Sequence, residues 1–171
     1  MPQKSSQDRY ANKFYGAVTE SGANTLTFAE INTAINLQSR TAWILHRLEW
    51  YLDNASIAIV SATGDTIHGA LCSSNKMTQL GLDNAGVIDL FDLTEINATG
   101  VGFSQYFYPL MRDFNQLPGG GLIIPPRPLY VAAMGVALAA AVTVKVRGYY
   151  TSLELADSDY YDLLDAYRIL S

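Results

Sequence analysis

The sequence predicts one mainly β domain closed by a single C-terminal helix. Strand-length segments recur along the chain, separated by short clusters of Gly, Asn, Asp, Ser and Pro, which is the punctuation of an all-β sandwich or barrel. Several of these segments alternate apolar and polar residues with period two, as half-buried strands do. Only the last stretch carries an apolar stripe at helical spacing. The spacing of the breaks accommodates about eight strands.

At 171 residues the chain fits one domain, and a domain of this size buries about two thirds of its unfolded surface. The first strand is expected at residues 14–18. A second follows at 26–31, where Leu26, Phe28 and Glu30 alternate with Thr27, Ala29 and Ile31 after the turn signal Ser21-Gly22-Ala23-Asn24. Residues 42–52 place Ile44, His46, Leu48, Trp50 and Leu52 on one strand face and Arg47 and Glu49 on the other. Trp43, His46, Arg47 and Trp50 also have helical spacing, but aromatic and β-branched content favours a strand.

Residues 56–62 and 66–72 flank Thr63-Gly64-Asp65, which reads as a β-hairpin. The polar stretch 73–79 reads as loop, 87–91 and 103–107 as further strands, and Asn97-Ala98-Thr99-Gly100 as a turn between them. Pro118-Gly119-Gly120-Gly121 and Pro125-Pro126-Arg127-Pro128 bracket the short apolar piece Leu122-Ile123-Ile124 in a long connection. Strands at 129–134 and 142–155 complete the series, the second alternating Val142, Val144 and Val146 with Thr143, Lys145 and Arg147. The small apolar residues 135–141 suit a tight connection or a close backbone contact. In the terminal helix Asp157 can cap the start, and Tyr160, Leu163, Leu164 and Tyr167 form a stripe that docks either on the sandwich or on a neighbouring subunit.

Composition narrows the function. Net charge is −5 and the isoelectric point about 4.8, which opposes nucleic-acid binding through the overall field. Residues 1–13 are different, a polar arm with Lys4, Arg9 and Lys13 against Asp8. Charged residues make up 16% and hydrophobic residues 49% of the chain, against a globular norm of about 25% charged. Charge depletion of this kind accompanies surface that is buried between subunits. No signal peptide opens the chain, and the longest apolar run, 129–144, falls short of a bilayer span.

Residues for catalysis are sparse. His46 lies among apolar neighbours, and His68 and Cys72, four apart on a strand, sit about 13 Å from each other. A single cysteine excludes an intrachain disulfide and a multi-cysteine zinc site. Asp157, Asp159, Asp162 and Asp165 lack the Gly-centred loop of an EF-hand, and Asp89, Asp92 and Glu95 match no cation motif. Gly119 to Gly121 precede no Lys-Ser or Lys-Thr, and no nucleophile elbow occurs. The expectation is no catalytic residue, no metal and no cofactor. Tyrosines recur at 106 and 108, 149 and 150, and 160 and 161, a residue type suited both to β cores and to interfaces.

This order of parts resembles the single jelly-roll coat proteins of small non-enveloped icosahedral viruses. The likeness rests on strand count, the polar arm, the Pro/Gly-rich stretch 118–128 and a long closing strand at 142–155. The resemblance implies a single jelly-roll β-sandwich of about eight antiparallel strands, to which the short C-terminal helix read from the residues is an addition. It further implies an arm at 1–13, a sandwich at 14–155, a helix at 156–171, a location in the virion and assembly with copies of itself into an icosahedral shell. Contact with other capsid proteins, and with nucleic acid through Lys4, Arg9 and Lys13, is also implied, though so few basic residues put genome neutralisation in doubt. Residues expected to touch neighbours are Tyr106, Tyr108, Phe114, Leu122, Ile123, Ile124, Pro125, Pro126, Tyr160, Tyr161 and Tyr167. Two other readings fit a β-sandwich: a carbohydrate-binding module with Trp43, Trp50 or tyrosines exposed, and a cupin-like metalloenzyme with converging ligands.

Overall fold

The protein is described by a computed structural model over residues 11–31, 41–95, 109–124 and 127–169. Two antiparallel sheets face each other. Sheet A runs β1 (Asn12–Thr19), β9 (Thr143–Glu154), β3 (Thr41–Leu52) and β6 (Leu110–Asp113), with β7 (Leu122–Ile124) also paired to β3. Sheet B runs β2 (Thr27–Ile31), β8 (Leu129–Val136), β4 (Thr66–Cys72) and β5 (Val87–Thr94). The first strand therefore pairs with the last, the second with the last but one, and each sheet takes strands from both halves of the chain. That order is the double Greek key of a jelly roll. The helix α2 (Asp157–Ile169) ends the described chain.

Alternation decides which residues meet between the sheets. In β1, Phe14, Gly16 and Val18 are buried while Lys13, Tyr15, Ala17 and Thr19 are exposed. In β9 Val144, Val146 and Gly148 are buried in the same alternation, and Thr151 is buried further on. Trp43 stacks on Tyr150 with ring centroids 3.8 Å apart, and Trp50 lies 5.1 Å from Phe91 of the opposite sheet. The Trp50 indole N–H donates to Asp89 Oδ2 at 2.8 Å, so the indole's polar tip is satisfied inside the core.

Three local expectations change. A register shift between Leu45 and Arg47 places a bulge at His46. Trp43 and Leu45 thus face the core on one side of it and Leu48 and Trp50 on the other, while Ile44 turns outward opposite Thr151 and Ile123. Residues 54–59 form a helix, α1 (Asn54–Ile59), where a hairpin strand is expected. Its cause is local: the Asp53 carboxylate accepts from Ser56 N at 2.8 Å, while the Asp65 carboxylate accepts from Ser61 N and Ala62 N and turns the chain into β4. The apolar piece 122–124 is a strand of sheet A, as is 110–113, and Lys13 belongs to β1 opposite Tyr149. The expected strand at 103–107 lies outside the described residues.

One end of the sandwich is tied by side chains. Glu20, 4% exposed, accepts from Gly135 N and Thr25 N through Oε1 and from Val142 N through Oε2. Asn24, at positive φ, exchanges two amide hydrogen bonds of 2.9 Å with the backbone of Leu138. These contacts clamp the β1–β2 turn onto the β8–β9 connection, which explains the tight segment 135–141.

Candidate self-association surface

The outside of sheet B is apolar. Register brings Phe28, Ala132, Ala70 and Leu90 into one cross-strand row, with Glu30, Tyr130, Cys72 and Val87 in the next. Their neighbours Ile67, Leu71, Val131 and Ala133 belong to the core between the sheets, so this row lies on the opposite face. Ala70, Cys72 and Ala132 form a second buried apolar cluster there, with Phe28, Leu90 and Tyr130 packed around it and only partly covered. Met77 and Leu80 from the loop after β4 lean on the same cluster. Val136 at the end of β8 is 41% exposed, and Leu82 in that loop is 77% exposed.

Acidic side chains on this face are confined to its edges. Strands β2, β4, β5 and β8 contain no Lys or Arg. Glu30 is exposed on edge strand β2, and Asp92 on edge strand β5 accepts from His68 Nδ1 at 2.5 Å. Cys72 in the middle is buried, and desolvation pushes its thiol up to about 12, so it behaves as a small apolar group.

The outside of sheet A differs in character. Tyr15, Arg147, Glu49 and Met111 form one row, and Ala17, Lys145 and Tyr51 the next. Glu49 is buried against the face by neighbouring side chains: Tyr51 donates its hydroxyl at 2.6 Å, and Arg147 approaches to 3.5 Å. Hydrogen bonding to Glu49 raises the Tyr51 pKa, aided by burial. Tyr15 stays 57% exposed and Met111 62% exposed.

Expected contact residues divide by placement. Ile123 is 40% exposed and Tyr161 61% exposed. Tyr160 is partly buried with its ring against Tyr161, and among the described residues α2 has no extensive contact with any strand. Ile124 is a correction: it is 1% exposed and belongs to the core. Leu122 and Phe114 pack against the core too, because β7 alternation turns Leu122 inward with Ile124 and leaves only Ile123 outside. Tyr106, Tyr108, Pro125, Pro126, Lys4, Arg9 and the Tyr167 side chain lie outside the described set.

The histidines and acids are placed in separate settings. His46 contacts Asn115 Oδ1 and Gly120 O through Nδ1 and Thr151 Oγ1 through Nε2, which pins the β6–β7 loop to sheet A. Asp89 points into the sandwich and Asp92 out of it, so they share no site. Among the described residues no three His, Cys, Asp or Glu side chains are placed to hold a metal ion. Trp43 and Trp50 are core residues, 5% and 0% exposed, and offer no platform for a sugar.

No protein-family model matches the sequence, and no curated protein matches it. Among solved structures, two of Merkel cell polyomavirus VP1 align with it, one in complex with GD1a oligosaccharide and one an unassembled pentamer. Each has a TM-score of 0.43 and 8% identity, covering 91% of this chain and 84% of VP1. The jelly-roll assignment rests on strand order. The sheet B exterior was missed in the sequence because its apolar residues were counted as core, although unbroken runs such as Ala-Leu-Cys and Val-Ala-Ala-Met mark strands covered on both faces.

Proposed function

We propose that this protein is a structural capsid subunit that assembles with copies of itself into a closed shell in the virion, without catalysis. One observation carries the reading: sheet B has an apolar cluster on each face, and a lone sandwich needs only the inner one. Burying one Phe or Met side chain contributes about 1.5–3 kcal/mol, so partly covered Phe28, Leu90, Tyr130 and Met134 favour a partner over water. Charge depletion to 16% supports the same reading. The clamp at Glu20 gives a subunit whose sandwich end is rigid before it meets another.

Ile123, Tyr160 and Tyr161 are proposed as further contacts, together with Tyr106, Tyr108, Pro125, Pro126 and Tyr167. An arm that includes Lys4 and Arg9 is proposed to face the interior of the shell, and the helix to lie against a neighbour. Light scattering across concentration and ionic strength, with negative-stain images of the large fraction, tests the shell: uniform closed particles are expected. Replacing Tyr160→Ser with Tyr161→Ser should reduce particle yield while leaving the β circular dichroism signal, and unchanged yield removes the helix from the contact set.

A further inference from the structure

We infer that the exterior of sheet B is covered by the exterior of sheet A on a second copy of this chain, so that subunits join front to back. The inference rests on the self-assembly reading and names the two surfaces that meet. Its basis is the unequal division of charge. On the sheet B exterior the strands supply two acids, Glu30 and Asp92, at the two edges of an apolar centre, with His68 paired to Asp92. On the sheet A exterior the strands supply Lys13 and Lys145 with Arg47 and Arg147. The two acids there offset two of these cations, Glu49 beneath Tyr51 and Arg147, and Asp113 at 3.9 Å from Arg47, so Lys13 and Lys145 are the excess charge.

Like faces make poor mates. Packing two sheet B exteriors sets acid beside acid around the apolar centre, and packing two sheet A exteriors sets Lys beside Lys, an arrangement that disfavours association once water is excluded. Front-to-back packing places the acidic rim against the basic face and the apolar centre against the exposed Tyr15 ring. Such a contact is heterologous. Each subunit keeps one face of each kind available, so the contact repeats and closes into a ring where the rotation allows.

Charge exchange in the full chain tests this. Lys13→Glu with Lys145→Glu makes both exteriors acidic, and Glu30→Lys with Asp92→Lys makes both basic. Sedimentation at low ionic strength should show each pair weakening association at least about tenfold, with circular dichroism unchanged. All four substitutions in one chain should restore association to near the wild-type level, and an equimolar mixture of the two doubly substituted chains should associate where neither does alone. If a doubly substituted chain does not fold, the neutral set Lys13→Gln, Lys145→Gln, Glu30→Gln and Asp92→Asn serves: association should weaken and lose much of its salt dependence. Folded variants that associate like wild type, or a four-site chain no better than the doubly substituted ones, overturn the front-to-back contact while leaving self-assembly intact. A wild-type chain that stays monomeric throughout overturns the self-assembly reading itself.

Discussion

Glu20 shows how one buried carboxylate organises an end of the sandwich. It takes three backbone N–H groups from three different segments, at 2.6 to 3.0 Å, which no uncharged side chain of its shape can do, since an amide offers only one oxygen. Glu20→Gln should lower unfolding free energy by about 3 kcal/mol, measured by urea denaturation at neutral pH, and a loss under about 0.5 kcal/mol would contradict the clamp. Asp89 behaves in the opposite sense. Burial raises its pKa above the ordinary aspartate value, although the Trp50 indole, Arg112 and a backbone N–H oppose the shift. The folded chain therefore holds the Asp89 proton more tightly than the unfolded chain does. Stability from that proton is complete below the ordinary aspartate value and is lost as pH rises through the raised folded one. Asp89→Asn keeps an acceptor for Trp50 and cannot titrate, so the wild-type unfolding midpoint should fall relative to the variant as pH rises above the ordinary aspartate value of about 4. Parallel profiles would show that Asp89 titrates alike in both states.

At the scale of elements, the strands that form the core were legible where alternation is strict. The strand expected at 14–18 lies within β1, and the alternation of Val144 and Val146 with Thr143, Lys145 and Arg147 becomes the start of β9 in the expected sense. Residues 42–52 were legible as a strand but not in phase, because a bulge at His46 leaves no signature in composition. The helix α1 was misread as a strand since Ser56 to Ala62 is β-branched and apolar, whereas the deciding feature is a single capping carboxylate upstream of it. Asp53→Ala should therefore destabilise the protein by about 1 kcal/mol in thermal or chemical melts. Close approach of rings to glycines is likewise tertiary information: Gly69 lies under the Phe91 ring on the paired strand, with no room for a Cβ. Gly69→Ala should cost about 2 kcal/mol, and a variant as stable as wild type would mean that Phe91 can move aside.

For the whole molecule, the sequence pattern conveyed a charge-poor β-sandwich, and the strand order in two sheets makes it a jelly roll. Candidate contacts were less legible. Ile124 and Leu122 were expected to touch neighbours from within a long connection, yet pairing with β3 turns both toward the core. The sheet B exterior was hidden within apolar runs that one-dimensional reading assigns wholly to the core. What distinguishes it is geometric, a second apolar cluster on the far side of the same strands. That surface is where the central claim is exposed to test most directly, by sedimentation velocity of wild type beside a chain carrying Phe28→Asp and Tyr130→Asp. Wild type should form large, concentration-dependent species, and the variant should be a folded monomer with native circular dichroism. A variant that assembles as wild type does would contradict it.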